Sequence, residues 1–193
     1  MSQYYLGFDA GTQSVKVAVY DENMNCIVSS SAPTTLTYPE PGWVSMDVDE
    51  YLALTIKGMK ECASLMKEKG LDVTKIKSIM GDGIICGICG VDKDGNAITP
   101  YINYLDSRTK DDVDLVNSWD LDIFGKETGN PEANCMFPAM FARWFLKNIE
   151  GFKETARSLF MMHRMYWHIL QVFLQRICLL TGEQCLDGDL DIK

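Results

Sequence analysis

The apolar positions of this chain change their spacing from one segment to the next, and each spacing predicts a different element. Three short segments near the start are rich in β-branched and aromatic residues and are separated by turn residues: 4–9, 14–20 and 26–31. Such segments are typical of strands. The polar run at residues 21–25 predicts a hairpin turn. These segments together predict an antiparallel meander of three strands.

A helical spacing follows after a loop that contains Pro39, Pro41 and Gly42. Between residues 51 and 69 the apolar side chains recur every three or four positions, at Leu52, Ile56, Met59, Cys62 (or Ala63) and Met66. This period predicts an amphipathic helix with lysines on its solvent-exposed face. We expect Asp47 or Asp49 to cap its start and Gly70 to end it.

The second half of the pattern alternates strands with helices. Residues 76–80 and 84–91 are apolar enough to predict two buried strands without alternation. Residues 92–96 predict a turn, and residues 98–104 lead into helices at 107–117 and 138–148. Strands and helices in this order predict an α/β fold with a mixed sheet flanked by helices.

Composition and charge narrow the class of protein. The chain has 193 residues and a net charge of −9, which argues against a nucleic-acid partner because no basic stripe is present. We expect no membrane span, since no apolar run approaches the roughly 20 residues that a span needs. No basic-then-apolar leader opens the sequence. Seven scattered cysteines indicate free thiols in a reducing cytoplasm.

Cys86 and Cys89 have the Cys-x-x-Cys spacing, but they are a single pair. A structural zinc ion needs four ligands, and the only histidines are His163 and His168. A redox pair remains an alternative. We expect the two thiols to be small side chains in a buried strand.

The turn after the first strand is the first candidate for chemistry. Residues 9–14 read Asp-Ala-Gly-Thr-Gln-Ser. Gly11 permits a tight turn and a close backbone approach, while Thr12, Gln13, Ser14 and Lys16 offer donors to phosphate oxygens. Asp9 offers a carboxylate to Mg²⁺. The alternative is an ordinary hairpin with a polar tip.

A second candidate joins aromatic and charged side chains. Pro41-Gly42-Trp43-Val44 precedes an acidic helix start, and Tyr104, Asp106 and Arg108 follow a predicted strand. A polyol needs an apolar platform for its C–H face and charged groups for its hydroxyls, which these residue types provide. The alternative for Asp106 and Arg108 is a capped helix start with an exposed ion pair worth little stability.

The ordered set of motifs resembles the FGGY carbohydrate kinases, the family of xylulose, glycerol, gluconate and ribulose kinases. The resemblance runs from about residue 4 to residue 160, and it covers the N-terminal lobe of such an enzyme. It includes the Gly-x-Asp-x-Gly-Thr opening, Pro-Gly-Trp-Val-x-x-Asp, Val-Asp-Lys-Asp-Gly-Asn, aromatic-x-Asp-x-Arg, and Thr-Gly-Asn-Pro at residues 128–131. The resemblance implies a ribonuclease H-like lobe, a fold shared with actin and hexokinase.

The resemblance also implies roles for the matching residues. Asp9 is similar to the metal-side carboxylate, and Gly11, Thr12, Gln13 and Ser14 to the turn that faces the γ-phosphate of ATP. Tyr104, Asp106 and Arg108 occupy positions that line the sugar cleft. Xylulose kinases carry Met-His before the glycine that aligns with Gly87, whereas this chain has Ile85 and Cys86. Because an imidazole partner is missing, D-xylulose is in doubt as the substrate.

The end of the sequence departs from the resemblance. We expect a family lobe at residues 1–161, an anomalous segment at 162–188 and a short tail at 189–193. If plausible codons are assigned to the anomalous segment and translated one base out of phase, the resulting amino-acid sequence resembles the next segment of the family. A compensated frameshift is one hypothesis, which resequencing would test, and a genuine terminal helix is the alternative. The resemblance places the general-base aspartate and the adenine site beyond Lys193, so it implies no catalytic residue in this chain.

The reaction that the resemblance implies is transfer of the γ-phosphoryl group of Mg·ATP to a sugar or polyol hydroxyl. A different actin-like ATPase is one alternative, and a non-catalytic sugar-binding fragment is another. A homodimer is a further possibility that the sequence leaves open. The kinase hypothesis requires Thr12 and Tyr104 to border one hollow.

Overall fold

A computed structural model describes residues 3–119, 125–126 and 129–160, and its first sheet is built mainly from the start of the chain. Strands β1 (Tyr4–Ala10), β2 (Ser14–Asp21) and β3 (Cys26–Pro33) form the predicted antiparallel meander. Strand β5 (Ile76–Gly83) pairs parallel with β1, which gives the order β3-β2-β1-β5. The mixed sheet predicted from the sequence is confirmed.

A second sheet contains short antiparallel strands. Its order is β4-β7-β6-β8, with β4 at Ser45–Met46, β6 at Gly87–Val91, β7 at Tyr101–Asn103 and β8 at Ser158–Phe160. All five residues of β6 are buried. The isoleucine and cysteine residues of this strand therefore sit inside the molecule, as the continuous apolar run predicted.

The prediction that residues 76–80 form a buried strand was wrong about burial. Strand β5 is an edge strand of the described sheet. Its residues are exposed or half-buried, and Met80 is 72% exposed. The predicted strand at 84–91 also begins three residues late. Residues 84–86 instead connect β5 to β6, and this connector lies beside the candidate site.

Helix α1 (Val48–Glu68) covers one face of the first sheet. It buries the side of the helix that includes Tyr51, Thr55, Cys62 and Met66, and Gly58 allows close contact because a Cβ there would lie 2.7 Å from Val17. Of the two predicted capping residues, Asp47 is the N-cap, because its Oδ1 accepts a hydrogen bond from the Glu50 N–H at 2.9 Å. A 3₁₀ turn (Val73–Lys75) leads from the helix to β5.

The described helices between β7 and β8 include α2 (Lys110–Asn117), α3 (Pro138–Asn148) and α4 (Phe152–Thr155). Helix α3 has the predicted bounds. Helix α2 begins three residues later than predicted, because residues 107–109 belong to the loop that follows β7. Phe141 and Phe145 of α3 pack with Ile88, Ile102 and Phe152 in a core under the second sheet.

Candidate functional site

The turn after β1 and Tyr104 of the second candidate motif border one open hollow of about 420 Å³. The described residues that line it come from the turn after β1, the connector between β5 and β6, and two loops: Asp9, Gly11, Thr12, Gly83, Ile84, Ile85, Cys86, Tyr104 and Met136. Thr12 and Tyr104 therefore face a common space. This arrangement is the one that the kinase hypothesis required.

The turn that follows β1 forms the polar side of the hollow. The Gly11 N–H donates to the Ser14 carbonyl oxygen at 3.1 Å, so Thr12 and Gln13 form the tip of a tight hairpin. The Thr34 hydroxyl donates to the Thr12 carbonyl oxygen at 2.5 Å, and the Thr34 N–H donates to the Gln13 carbonyl oxygen at 3.1 Å. Strand β3 and the residue after it therefore hold the tip of this turn in place.

Asp9 supplies an accessible carboxylate beside this turn. Its side chain is 57% exposed and lies 3.8 Å from the Lys16 ammonium group, which is 64% exposed. Such a pair is held weakly, because water screens both charges. The carboxylate is thus available to a cation. Gln13, Ser14 and Lys16 lie next to the turn but outside the described lining of the hollow.

A second carboxylate near Asp9 was missed by the sequence analysis. In the parallel register of β1 and β5, Asp9 is paired with Asp82, and the Asp82 side chain is exposed. Its Oδ1 accepts a hydrogen bond from the Gly83 N–H at 2.7 Å. Asp9 and Asp82 are more than 70 positions apart, and they are neighbours because β1 and β5 pair in this register. The sequence alone does not reveal which strands pair or in which register, so it could not predict this proximity.

The opposite side of the hollow is mostly apolar. Ile85 is 71% exposed and Tyr104 is 38% exposed, which is high for side chains of this size. Cys86 and Met136 are half-buried at the same surface. Exposed apolar side chains that gather at a concave surface are typical of a contact with a ligand or another protein surface.

Asp106 and Arg108 were expected to line the sugar cleft, but in this structure their side chains are buried away from the hollow. Their side chains are 0% and 4% exposed, and neither belongs to the described lining of the hollow. Arg108 donates to Asp106 through Nε at 2.9 Å and through Nη2 at 2.8 Å, a bidentate pair. The expected exposed ion pair at a helix start, the alternative weighed from the sequence, is also wrong because this pair is buried.

Both members of this ion pair have further partners inside the protein. The Asp106 carboxylate also accepts hydrogen bonds from the backbone N–H groups of Val44 at 2.5 Å and Arg108 at 2.8 Å. The Arg108 guanidinium lies 4.0 Å from the ring centroid of Trp43 and 4.9 Å from that of Trp144. The pair thus joins the Pro-Gly-Trp-Val segment to the loop that carries Tyr104.

The two closely spaced cysteines differ in environment. Cys89 is fully buried, and this burial raises the pKa of its thiol to about 12. Because the thiolate is the reactive form, that shift disfavours redox chemistry at Cys89. Cys86 is half-buried and borders the hollow. Within the described ranges, no cluster of three or more His, Cys, Asp or Glu side chains is arranged to hold a metal ion.

Some predicted features fall outside the described residues. These are Thr128 of the Thr-Gly-Asn-Pro motif, both histidines, and the whole segment at 162–188. Within the described part of the chain, no helix combines the length and the apolar character that crossing a bilayer would require.

Comparison with known proteins identifies relatives of this chain. Residues 4–183 match the model of the N-terminal domain of the FGGY family of carbohydrate kinases. A glycerol kinase of Paraburkholderia phymatum is 33% identical over 161 residues, which is 81% of this chain and 31% of that protein. A glycerol kinase of Marinomonas is 26% identical over 160 residues, which is 82% of this chain and 32% of that protein. The chain thus spans about a third of the length of these relatives.

Solved structures of kinases share the fold. A glycerol kinase of Plasmodium falciparum, solved with ADP, matches with a TM-score of 0.74 and 22% identity, over 95% of this chain and 35% of that one. A gluconate kinase of Lactobacillus acidophilus matches with a TM-score of 0.75 and 19% identity, over 86% of this chain and 32% of that one. These likenesses confirm the actin- and hexokinase-like fold that the sequence predicted. The family match over most of the residues shows that the chain belongs to the FGGY family of carbohydrate kinases.

Proposed function

We propose that this chain binds the acceptor and the transferred phosphate in a kinase that phosphorylates a hydroxyl of a sugar or polyol with ATP. The observation that carries the proposal is the shared hollow, which both Thr12 of the turn and Tyr104 border. Phosphoryl transfer depends mainly on positioning and on electrostatic stabilisation, so two ligand surfaces on one hollow are what the reaction needs.

The polar wall suits the phosphate. Gly11 admits a close approach of the backbone, and the N–H groups and hydroxyls of Thr12, Gln13 and Ser14 are donors to phosphate oxygens. Lys16 adds a positive charge near the same turn, held 3.8 Å from Asp9.

Mg²⁺ fits the polar wall on the chemistry of its donors. Mg²⁺ keeps several waters and binds through one or two carboxylates together with substrate phosphates, and the exposed Asp9 carboxylate is such a ligand. The ion would supply neutralisation of negative charge on the phosphate. The absence of a larger cluster of acidic ligands in the described residues agrees with this mode of binding.

The apolar wall suits the carbon face of the acceptor. Tyr104 offers a ring and a hydroxyl at 38% exposure, and Ile85 and Cys86 extend the apolar surface. Direct sugar contacts by Asp106 and Arg108 stay a prediction, and they would require both groups to leave their buried ion pair. We propose glycerol, gluconate and xylulose as the first acceptors to test, since the relatives and structural neighbours above are glycerol and gluconate kinases and a xylulose kinase of Rhodospirillum rubrum is a further structural neighbour.

The general base and the nucleotide site are proposed to lie beyond Lys193, as the family resemblance implies. With the general base and the nucleotide site placed there, we expect these 193 residues by themselves to transfer no phosphoryl group. We retain residues 1–161 as the family lobe and 162–188 as an anomalous segment, although the family match extends to residue 183.

Protection of a thiol tests acceptor binding without requiring turnover. Cys86 borders the hollow, whereas Cys26 is exposed on β3 and reports on general reactivity. We expect at least one of the three acceptors to slow alkylation of Cys86 and to leave Cys26 unchanged, as measured by mass spectrometry. Equal rates at Cys86 with and without every acceptor would contradict acceptor binding in this hollow.

Phosphoryl transfer by the same chain tests the second part. The chain is incubated with Mg·ATP and each acceptor, and the phosphorylated product is measured. No product is expected. Robust turnover would contradict the placement of the base beyond Lys193 while leaving acceptor binding intact.

A further inference from the structure

Two buried tyrosines lie behind the hollow, one at each wall. Tyr51 of α1 is 1% exposed and Tyr101 of β7 is fully buried. Neither belongs to the described lining of the hollow. The hydroxyl of each nevertheless reaches a backbone carbonyl of a segment that does line it. The two contacts have different consequences for the two walls.

Tyr51 holds the turn of the polar wall from its rear side. Its hydroxyl donates to the Ala10 carbonyl oxygen and lies 2.9 Å from the Gly11 carbonyl oxygen. In a planar trans peptide the C=O group and the following N–H group point in opposite directions. A Gly11 carbonyl that points at Tyr51 therefore directs the Thr12 N–H away from Tyr51, out of the protein interior.

Thr34 extends the same arrangement by two residues. Its hydroxyl and its N–H group bind the carbonyl oxygens of Thr12 and Gln13, at 2.5 Å and 3.1 Å. By the same planarity, the N–H groups of Gln13 and Ser14 point away from Thr34. At the tip of the turn, the successive N–H groups of Thr12 and Gln13 are thereby directed outward, and such groups make a concave surface that binds anions. The rear hydrogen bonds thus shape the front of the turn.

Tyr101 holds the connector of the apolar wall. Its hydroxyl donates to the Cys86 carbonyl oxygen at 2.7 Å. The next residue, Gly87, has φ +101°, and a Cβ there would lie 2.2 Å from the Ile102 carbonyl oxygen and 2.9 Å from the Tyr101 hydroxyl. The connector is therefore fixed between a hydroxyl and a strand, and this fixes where Ile85 and Cys86 stand.

We propose that Tyr51 and Tyr101 are separate positioning residues, with Tyr51 orienting the phosphate-binding turn and Tyr101 orienting the acceptor wall. The assignment of ligands to the two walls rests on the proposed function, whereas the positioning itself does not. Burial raises the pKa of both hydroxyls well above the usual range, so both remain protonated donors near neutral pH.

The two tyrosines provide matched variants for a test. Tyr51→Phe and Tyr101→Phe each remove one buried hydroxyl and keep the ring, so each is the control for the other. The first readout is hydrogen exchange of the Gly11 and Thr34 amides, whose hydrogen bonds to the Ser14 and Gln13 carbonyl oxygens close and anchor the turn. The second readout is the alkylation rate of Cys86. Cys26 serves as the reference thiol, and circular dichroism checks that both variants fold.

The proposal predicts that the two variants affect opposite walls. Tyr51→Phe should speed exchange at the turn by about tenfold and leave Cys86 unchanged. Tyr101→Phe should speed alkylation of Cys86 by about threefold and leave the turn unchanged. Equal changes at both walls in both variants, or no change in either, would overturn the proposal. If Tyr51→Phe does not fold, Thr34→Val removes another rear hydrogen bond from the turn and should speed its exchange likewise.

A titration with inorganic phosphate separates this proposal from the proposed function. Phosphate should shift the amide resonances of Thr12, Gln13 and Ser14 in the unchanged chain. Its dissociation constant should rise about fivefold in Tyr51→Phe and stay unchanged in Tyr101→Phe. If phosphate shifts no turn amide even in the unchanged chain, the phosphate role fails, while the exchange and alkylation rates still decide whether the tyrosines position the two walls.

Discussion

Asp9 and Asp106 belong to two motifs of the same kind, since each is an aspartate with a basic residue nearby, but their environments are opposite. The Asp9–Lys16 pair is 3.8 Å apart, with side chains 57% and 64% exposed. The Asp106–Arg108 pair is bidentate, with side chains 0% and 4% exposed. The first carboxylate borders the hollow, and the second supports the loop that carries Tyr104.

This difference shows that a charged residue in a site motif can serve the site in two ways. An accessible carboxylate with a weakly held partner can bind a cation at little cost in stability. A buried carboxylate with all of its strong partners inside the protein stabilises the wall behind the site, and removal of its charge leaves a buried guanidinium unpaired. Substitution of each aspartate distinguishes these two roles.

The largest effect is expected from Asp106→Ala. This change leaves the Arg108 guanidinium buried without its carboxylate and also removes the acceptor of the Val44 N–H. We expect the free energy of unfolding to fall by about 3–5 kcal/mol in urea titrations. Asp114→Ala is the control, because Asp114 forms an exposed pair with Lys110 and should cost little. Similar losses in the two variants would contradict a structural role specific to Asp106.

Arg108→Lys separates charge from geometry in the buried pair. Lysine keeps the positive charge but cannot present two parallel N–H donors or a planar head group to the rings of Trp43 and Trp144. We expect a loss of about 2–3 kcal/mol in the free energy of unfolding, measured by thermal and urea denaturation. An unchanged stability would mean that the planar geometry of the guanidinium beside the two indole rings contributes nothing.

Asp112→Asn extends the comparison to a carboxylate of intermediate kind. Asp112 is 4% exposed and binds Arg143 and Lys147, which are 41% and 52% exposed. Burial alone would raise the pKa of Asp112, but the hydrogen bonds from Lys147 and Arg143 outweigh it and lower the pKa below 3.8. Because water screens both cations, we expect the substitution to cost only about 1–2 kcal/mol at pH 7.

The pH dependence of stability tests the same residue. A carboxyl group with a lowered pKa in the folded state contributes stability that is present above its unfolded pKa and is lost as the pH falls through the folded value. The contribution of Asp112 should therefore begin to fall as the pH drops through the usual pKa range of an aspartate, and it should be lost once the pH is below the lowered pKa of the folded state. The stability curve of Asp112→Asn should approach that of the unchanged chain in this range. A gap that stays constant down to pH 2 would contradict the ion-pair account.

The smallest effect on stability is expected from Asp9→Asn. Exposed ion pairs contribute little, so the free energy of unfolding should change by no more than about 0.5 kcal/mol. Asp94→Asn is the matched control, since Asp94 forms an exposed pair with Lys93 away from the hollow. A loss above 2 kcal/mol in Asp9→Asn would make Asp9 a structural residue and would remove the contrast with Asp106.

Much of the fold could be predicted because its signals are local. The meander, helix α1 and helix α3 follow from apolar spacing, from turn residues, and from caps such as Asp47, all of which lie within a few positions of each other. The turn at Gly11 and Thr12 could be predicted for the same reason. The exposure of β5 could not, because its apolar residues resemble a central strand and only the strand order of the described sheet places it at a border.

The burial of Asp106 and the pairing of Asp9 with Asp82 depend on contacts between distant parts of the chain. Asp106 accepts a hydrogen bond from the Val44 N–H, which lies 62 residues away in sequence, and its partner Arg108 lies against Trp43 and Trp144. The motif around Tyr104 contains a carboxylate and a guanidinium, but the sequence does not show whether these groups contact a ligand or each other. Tyr51 and Tyr101 were absent from the predicted site because they act on backbone carbonyls.

Paramagnetic broadening by Mn²⁺, used in place of Mg²⁺ together with inorganic phosphate, tests the central claim most directly. If Asp9 and the turn bind a metal and phosphate across from the acceptor wall, the amide signals of Gly11 and Thr12 and the ring signals of Tyr104 should broaden together. Asp9→Asn should abolish this broadening, and Asp94→Asn should not. Broadening centred on the acidic start of α1 at Asp47, Asp49 and Glu50, with Thr12 and Tyr104 unaffected, would contradict the account.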